Sequence, residues 1–327
     1  MSQSIVPTSE DISAASPAPH AHPAPHAHEK LPPALLAVNL VAIVLPFVGL
    51  IAAMILVWGW GIDWLHLGLF LGGYILTAFG ITIGYHRLFT HRAFETTVPV
   101  QVIAGILGSM AVEGPLFKWV GTHRKHHQHA DSHDDPHSPH LHGDSWSGLF
   151  KGLWHGHVGW IFDPEIPNIN KYAGDLQKKP FLRAVHKLFP LWVLLSLIIP
   201  TAIAGLYSMT WTGALLGFIW GGLVRVFFVH HVTWSINSVC HLWGARPFNT
   251  DDESRNNVIF GVLAMGEGWH NNHHAFPTSA RHGLQWWQFD ISYYVIKVMG
   301  WMGLAWKIKV PDQELIDRKQ HQQSVVV

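Results

Sequence analysis

Eight histidines fall into three tight groups: His86-Arg-Leu-Phe-Thr-His91, His123-Arg-Lys-His126-His127 and His270-Asn-Asn-His273-His274. At neutral pH an imidazole is largely uncharged and offers a nitrogen lone pair, which makes it the commonest side-chain metal ligand. Eight such rings exceed what one ion takes, so the count points to two metal ions. Each residue of an α-helix turns by about 100°. His123, His126 and His127 therefore project within one arc, as do His270, His273 and His274, and each triplet can offer three rings to one pocket. His86 and His91 stand five residues apart, about 140° on a regular helix. That spacing predicts a helix ending near Leu88 with His91 in the exit turn, or two histidines serving different metals.

A ninth candidate is His241, in Asn237-Ser-Val-Cys-His241. Asn237 shares its helical face at i, i+4, so the amide can orient a metal-bound water beside the ring. Soluble di-iron bundles use two Glu-x-x-His motifs, and here Glu267-Gly-Trp-His270 stands alone. Glu267 is therefore expected to hydrogen-bond a ligand histidine and fix its ring. His129, His133, His137, His140 and His142 crowd a polar loop with Asp131, Asp134 and Asp135, while His155, His157 and His282 are isolated and His230 and His231 close an apolar run. Supporting or surface roles are expected for these. The single cysteine, Cys240, rules out an intrachain disulfide and a cysteine-rich metal site; it reads as a small buried side chain.

The elements that must position these rings are membrane helices. Of 327 residues, 49% are hydrophobic and 13% charged, with no formal net charge; a soluble domain carries about 25% charged residues. Without a basic excess, nucleic acid is not a partner. Four runs approach the roughly 20 apolar residues that cross a bilayer: 34–58, 64–85, 189–208 and 211–231, the last carrying Arg225 near its far end. The stretch Val98–Val112 is too short to span and is expected in or on the membrane surface. Several of the 17 tryptophans stand where apolar runs end, as interfacial anchors do. The links 59–63 and 208–210 contain no Lys or Arg, whereas 86–188 contains many. The positive-inside rule then puts the middle segment, both termini and all three histidine groups in the cytoplasm.

The expected fold is all-α: an integral membrane protein with four transmembrane helices and a cytoplasmic helical cap carrying a histidine-rich di-metal site. Residues 1–33 contain Pro-Ala-Pro-His-Ala-His twice and are expected to form a disordered tail. Its His20, His22, His26 and His28 would bind metal only loosely, and it does not have the makings of a signal peptide. The membrane domain is expected over 34–312, with a polar C-terminal tail at 313–327.

At these residues the chain resembles the membrane fatty-acid desaturases of the delta-9 type, bacterial members included. The resemblance rests on HRLFTH (86–91), HRKHHQHAD (123–131), DPH (135–137), HVGW (157–160), TWSINSVCH (233–241) and EGWHNNHHAFP (267–277), in order along residues 34–310. It implies a di-iron centre held by His86, His91, His123, His126, His127, His241, His270, His273 and His274, with Asn237 holding a water. It also implies O2 as oxidant and a separate electron donor, such as a ferredoxin, a rubredoxin or a small cytochrome with its reductase. The implied reaction takes two hydrogens from neighbouring methylenes of a saturated acyl chain and leaves a cis double bond. The membrane would be the bacterial inner membrane. Trp119, Thr233 and Trp234 match positions lining the acyl tunnel of the animal enzymes.

Departures concern the substrate's carrier. After HVGW the animal acyl-CoA enzymes have a basic stretch, where this chain has Asp163-Pro-Glu165. Carboxylates repel phosphates that Arg and Lys would hold, so membrane lipid is favoured over acyl-CoA. Glu113 stands where the animal enzymes have a glutamine, and RHGLQWWQFD (281–290) is similar to bacterial members. A related hydroxylase or ketolase shares the oxidant and differs in the fate of the substrate. A metal transporter would string ionisable ligands through its spans, whereas here they gather at span ends.

Overall fold

The computed structural model describes residues 31–60, 63–143, 145–163 and 167–324; the Pro/His repeat with its four histidines, and Glu165, lie outside them. The first long apolar run forms α1 (Pro33–Trp60). Asp63 opens α2 (Trp64–Phe79) by accepting the His66 N–H at 2.9 Å, the usual service of a short acceptor at a helix start. This helix does not stop but continues as a π-helical segment over Gly80–Thr90. After the two-residue strand β1 (Glu95–Thr96) come α3 (Val98–Met110), α4 (Leu116–His129), α5 (Trp146–His157), α6 (Ile169–Gln177) and α7 (Pro180–Lys187). The hairpin of α8 (Phe189–Ser208) and α9 (Trp211–Gly217) runs through a second π-helical segment, Phe218–Val224, into α10 (Arg225–Ser238) and a 3₁₀ turn, Val239–His241. α11 (Val258–Leu263), α12 (His270–Ala275), α13 (Ile291–Trp301), strand β2 (Ala305–Trp306) and α14 (Gln313–Ser324) complete the chain. β2 pairs antiparallel with β1, Glu95 opposite Trp306.

Among the described residues four helices are long and apolar enough to cross a bilayer: Pro33–Leu56, Trp64–Thr90, Phe189–Ser208 and Trp211–His241. The second and fourth run further than their hydropathy predicts, to Thr90 and to His241. Ligand-type histidines thus sit on the span ends themselves. α3 is too short to span, as expected, and packs against the π-helical segment 80–90 and against α8. That crossing is close: a Cβ on Gly80 would stand 2.2 Å from the Gly108 nitrogen, the kind of backbone approach that small residues permit between membrane helices. The polar segment after 312 is helical, with Ile316 buried beside Phe248 and Phe276.

Two arginines lock the frame. Arg124 on α4 donates to the carbonyls of Phe89 and Thr90, which end the second span, and to Tyr172 O and Asp175 on α6. Arg225, inside the fourth span, is 1% exposed. Its guanidinium reaches Met110 O at 2.7 Å, Ser196 O at 3.2 Å and Gly221 O at 3.2 Å. Two of these acceptors lack an ordinary helical donor, and the third sits where the helix changes pitch. Met110 ends α3; Ser196 stands four residues before Pro200, which has no N–H; and Gly221 lies in the π-helical segment. An intramembrane arginine usually marks function, but this one satisfies backbone.

Replacing Arg225 by Met should leave the Met110 and Ser196 carbonyls without a donor, each costing about 1–3 kcal/mol where buried. The melting temperature of the detergent-solubilised protein, followed by tryptophan fluorescence, should fall, and Arg225→Lys should recover part of it. An unchanged transition in Arg225→Met would refute this role.

Candidate metal centre

The π-helical end of the second span solves the problem of histidines spaced five apart. In this segment the His91 N–H bonds back to His86 O at 3.1 Å, an i→i+5 bond that sets the two residues one above the other. Their rings stand 4.7 Å apart, centre to centre. The helix ends at Thr90, near the expected Leu88, and the alternative of two separate clusters is not what the structure shows. Both point into one cluster, with His91 in the exit turn.

The two triplets divide. On α4, His123 and His127 are i, i+4 and lie about 40° apart, while His126 lies about 60° to the other side of His123. His123 and His127 join His86, His91 and His273 in a five-ring cluster; His126 joins His241, His270 and His274 in a four-ring cluster. α12 splits the same way, with His273 in the first cluster and the i, i+4 pair His270 and His274 in the second. One pocket per triplet, which the spacing suggested, gives way to a shared pair of sites. Within each group the potential ligand atoms lie within 4.8 Å of one another. In the first, Nε2 atoms approach at 3.1 Å (His86–His273), 3.1 Å (His123–His127) and 2.9 Å (His127–His273). In the second they approach at 3.0 Å (His241–His270) and 3.1 Å (His270–His274).

Carboxylates stand behind the rings. The Nδ1 atoms of His126, His241, His274 and His86 lie 2.9, 2.8, 2.7 and 2.7 Å from Asp135, Asp131, Asp252 and Glu267. For His126, His241 and His274 this is a hydrogen bond, and donation from Nδ1 fixes the tautomer and leaves the Nε2 lone pair facing the cluster. His86 Nδ1 lies beside Glu267 without hydrogen-bond geometry. Glu267 also lies 3.1 Å from His282 Nδ1 and 3.2 Å from Arg87, which itself pairs with Asp290 at 2.8 Å. The turn that delivers Glu267 is tight: Gly266 has φ +112°, and a Cβ there would stand 2.3 Å from Asp290 Oδ1. Asn271 and Asn272 hold the six-residue α12 in place, the first on Phe248 N and O, the second on Asn256, His282 O and Gln288.

Burial, reinforced by neighbouring rings, holds His91, His123, His127, His270 and His273 well below the ordinary imidazole range, and pushes His274 down to about 4 against the pull of Asp252. Burial alone would raise Asp131, Asp135, Asp252 and Glu267; the rings they face, with Arg87 for Glu267, outweigh it and hold all four below the usual carboxylate range. These six rings stay neutral beside ionised carboxylates. At His126 burial, which would lower it, is outweighed by Asp135, and the ring is raised above the ordinary imidazole range. The Nε2 atoms of His91 and His126 are buried without a partner. Metal–nitrogen bonds of about 2.1 Å at right angles put adjacent nitrogens about 3.0 Å apart, which the Nε2 spacings match. The residues therefore fit two ions, one per cluster.

A cavity of about 920 Å³ reaches this centre, where His86, His123 and His270 form part of its wall. Trp119, Thr233, Trp234 and Asn237 all line it. Trp119 stacks on His123 at 5.1 Å and donates from Nε1 to Glu113 at 3.0 Å. Glu113 lies in a turn where Val112 and Gly114 both have positive φ, +67° and +110°, and its Oε1 is buried without a partner. Burial pushes its carboxyl up to about 8, against hydrogen bonds from Thr233 and Trp119.

A fatty acid desaturase family model matches residues 62–298. The chain belongs to the fatty acid desaturase family. Desaturases are oxidoreductases of acyl chains, and the apolar cavity against a metal-binding cluster suits that chemistry. Among its curated relatives is the hex-5-enoyl-(acyl-carrier protein) acetylenase of Moorena producens, 41% identical over 279 residues, 85% of this chain and 87% of that protein. The sn-1 stearoyl-lipid 9-desaturase of Synechocystis sp. is 38% identical over 262 residues, 79% of this chain and 76% of that protein. The acyl-CoA C20 Delta5-desaturase of Anemone leveillei is 40% identical over 243 residues, 73% and 72% of the two chains.

In this desaturase the structure draws together all nine histidines singled out by spacing and resemblance, and sets Glu267 against His86. Other partners were not legible as such. His282, isolated in sequence, joins His86 and Glu267 in a buried group, and His137 joins His126 and Asp135. His137 and Asp135 sit in the Asp-Pro-His motif, the one signal that could have raised them. Asp252 carries none.

His126→Ala and His273→Ala should each leave the helices intact while metal bound per chain, measured by elemental analysis, falls below that of the wild type. Asp135→Asn keeps the shape and removes the charge, so metal affinity should drop roughly 10–100-fold. Full occupancy in all three variants would remove the assignment of these clusters.

Proposed function

We propose that this desaturase introduces a cis double bond, at the delta-9 position, into a saturated acyl chain carried by membrane lipid, using O2 and two external electrons at a di-iron centre. The observation that carries this reading is a nine-imidazole pair of clusters, three of whose rings form part of the wall of a mostly apolar cavity. His86, His91, His123, His127 and His273 would hold one iron. His126, His241, His270 and His274 would hold the other, with Asn237 orienting a water. The catalytic unit is 34–312, facing the cytoplasm of a bacterial inner membrane; the cation-free links 59–63 and 208–210 support that orientation.

Bound iron supplies the oxidising power, by activating O2. The chain's own residues do the rest. The carboxylates on Nδ1 hold the rings in register before substrate arrives, which spares reorganisation during the reaction. The aliphatic walls, Ile81, Leu197, Leu223 and Val226 among them, exclude water and hold the methylenes against the cluster face. Trp119, stacked on His123, and Thr233 bound the cavity where the chain must pass the centre. Lipid as carrier is supported by the relative named for a stearoyl-lipid substrate. A second reading comes from the acetylenase relative: the same wall can present an already unsaturated carbon pair.

Fatty-acid profiling by lipid class, in a host without desaturases, tests this directly. Expression should yield chains two mass units lighter with a cis bond at carbon 9. Gain of oxygen, or unaltered lipids with metal-loaded protein, would defeat the reading. Glu113 gives a pH test. Below about pH 8 its carboxyl is neutral and tolerates an acyl chain; above that it ionises against a mostly apolar cavity. The apparent KM for substrate should therefore rise on the alkaline side, and Glu113→Gln should flatten that limb. An identical alkaline limb in the variant would show that Glu113 does not set it.

A further inference from the structure

Of the nine clustered imidazoles, six are buried and three, His91, His127 and His274, are half-buried. All three line one open basin of about 1170 Å³, which shares no lining residue with the acyl cavity. The basin touches both clusters, His91 and His127 from one and His274 from the other. Its walls come from segments far apart in sequence: the end of the second span, α4, α6, the loop 249–252, α12 and α14.

The charge of this basin is uneven. Arg92, Arg124, Lys171, Lys309 and Lys319 line it, against Asp251 and Asp252. Asp252 is engaged by His274 at 2.7 Å, while Arg92 and Arg124 share Asp175. Lys171, Lys309 and Lys319 are exposed. The chain as a whole carries no formal net charge, so the excess is local. Positive rims of this kind steer negatively charged partners and set their approach.

We propose that this basin is the docking surface of an acidic electron-carrier protein, which delivers electrons to the metal pair across the rings of His91, His127 and His274. The proposal rests on the desaturase reading for its need of electrons. A methylene pair gives up two hydrogens and with them two electrons. Reducing one O2 to two waters takes four electrons and four protons, so two electrons and two protons come from outside. The acyl cavity, apolar and occupied by substrate, offers a protein no approach. The basin is where the centre meets water, so protons are at hand there.

The probe is a plant-type [2Fe–2S] ferredoxin, an acidic carrier, titrated against the full chain in a neutral detergent. In the variant Lys171→Glu with Lys309→Glu, the dissociation constant at low salt should rise about tenfold or more, and its salt dependence should flatten. Rapid mixing of the metal-loaded protein should show slower reduction by ferredoxin, with reduction by dithionite unaltered. A control pair elsewhere on the surface, Lys178→Glu with Lys187→Glu, should leave binding as in the wild type. Equal affinity and equal salt dependence in the basin variant would overturn the proposal, as would equal weakening by the control pair. Loss of affinity for phosphatidylglycerol vesicles with ferredoxin binding retained would make the basin a lipid surface and overturn it too. None of these readouts uses an acyl product: a host whose lipids gain no double bond would remove the desaturase reading and leave the binding result standing.

Discussion

Nine imidazole nitrogens gathered within 4.8 Å of one another in two groups repel one another wherever their lone pairs meet, unless something positive sits among them. Proteins avoid burying polar atoms without partners, yet here Nε2 lone pairs face each other in two groups. The structure holds them there from behind. Asp131, Asp135 and Asp252 hydrogen-bond the Nδ1 of three rings and choose their tautomer; Glu267 stands beside the Nδ1 of His86, and all four carboxylates stay ionised. Arg87 offsets part of that buried negative charge; the remainder faces inward. The arrangement suits a cation at each centre, with neutral ligands in contact and countercharge one bond further out. Ligand strength and charge balance are thereby supplied by different residues.

The same constraint explains why the helices are shared between clusters. A pair at i, i+4 on α4 and a pair at i, i+4 on α12 each face one group, and the odd ring of each triplet faces the other. Two short helices thus fix the separation of the two sites through backbone geometry alone. The second span adds His86 and His91, and Arg124 ties its last carbonyls to α4. The fourth span ends on His241, which Asp131 grips from 110 residues away. Orientation of the rings is therefore a tertiary property, assembled from all parts of the cap at once.

This also decides how much could be read from sequence. The four spans were legible because hydropathy over about 20 residues is a one-dimensional signal. The histidine groups were legible because helical spacing is local, and the resemblance added His241 with the rest of the set. The division of each triplet was not, since 3.6-residue periodicity says which rings are neighbours but not which of two ions each one meets. Nor was the π-helical run at 80–90, which has no compositional mark; only the five-residue gap between His86 and His91 hinted that a regular helix would fail. Asp252 was missed because its partner lies in another segment, and for the same reason the supporting role expected of His282 could not be tied to Glu267. Arg225 was visible as a charge in a span, but its role needed the positions of Pro200 and the α3 end.

The π-helical stretch has a consequence for anyone wishing to make this protein sturdier. The usual route to heat resistance is to fill helix positions with residues that favour regular coiling, and such changes are often harmless. Between Gly80 and Thr90 they would be costly, because a segment wound to ideal pitch would swing one ring of the first pair out of its group. Rigidity gained there would come at the expense of chemistry. Thermal hardening belongs instead in the lipid-facing stretches of α1 and α8, where side chains meet only hydrocarbon.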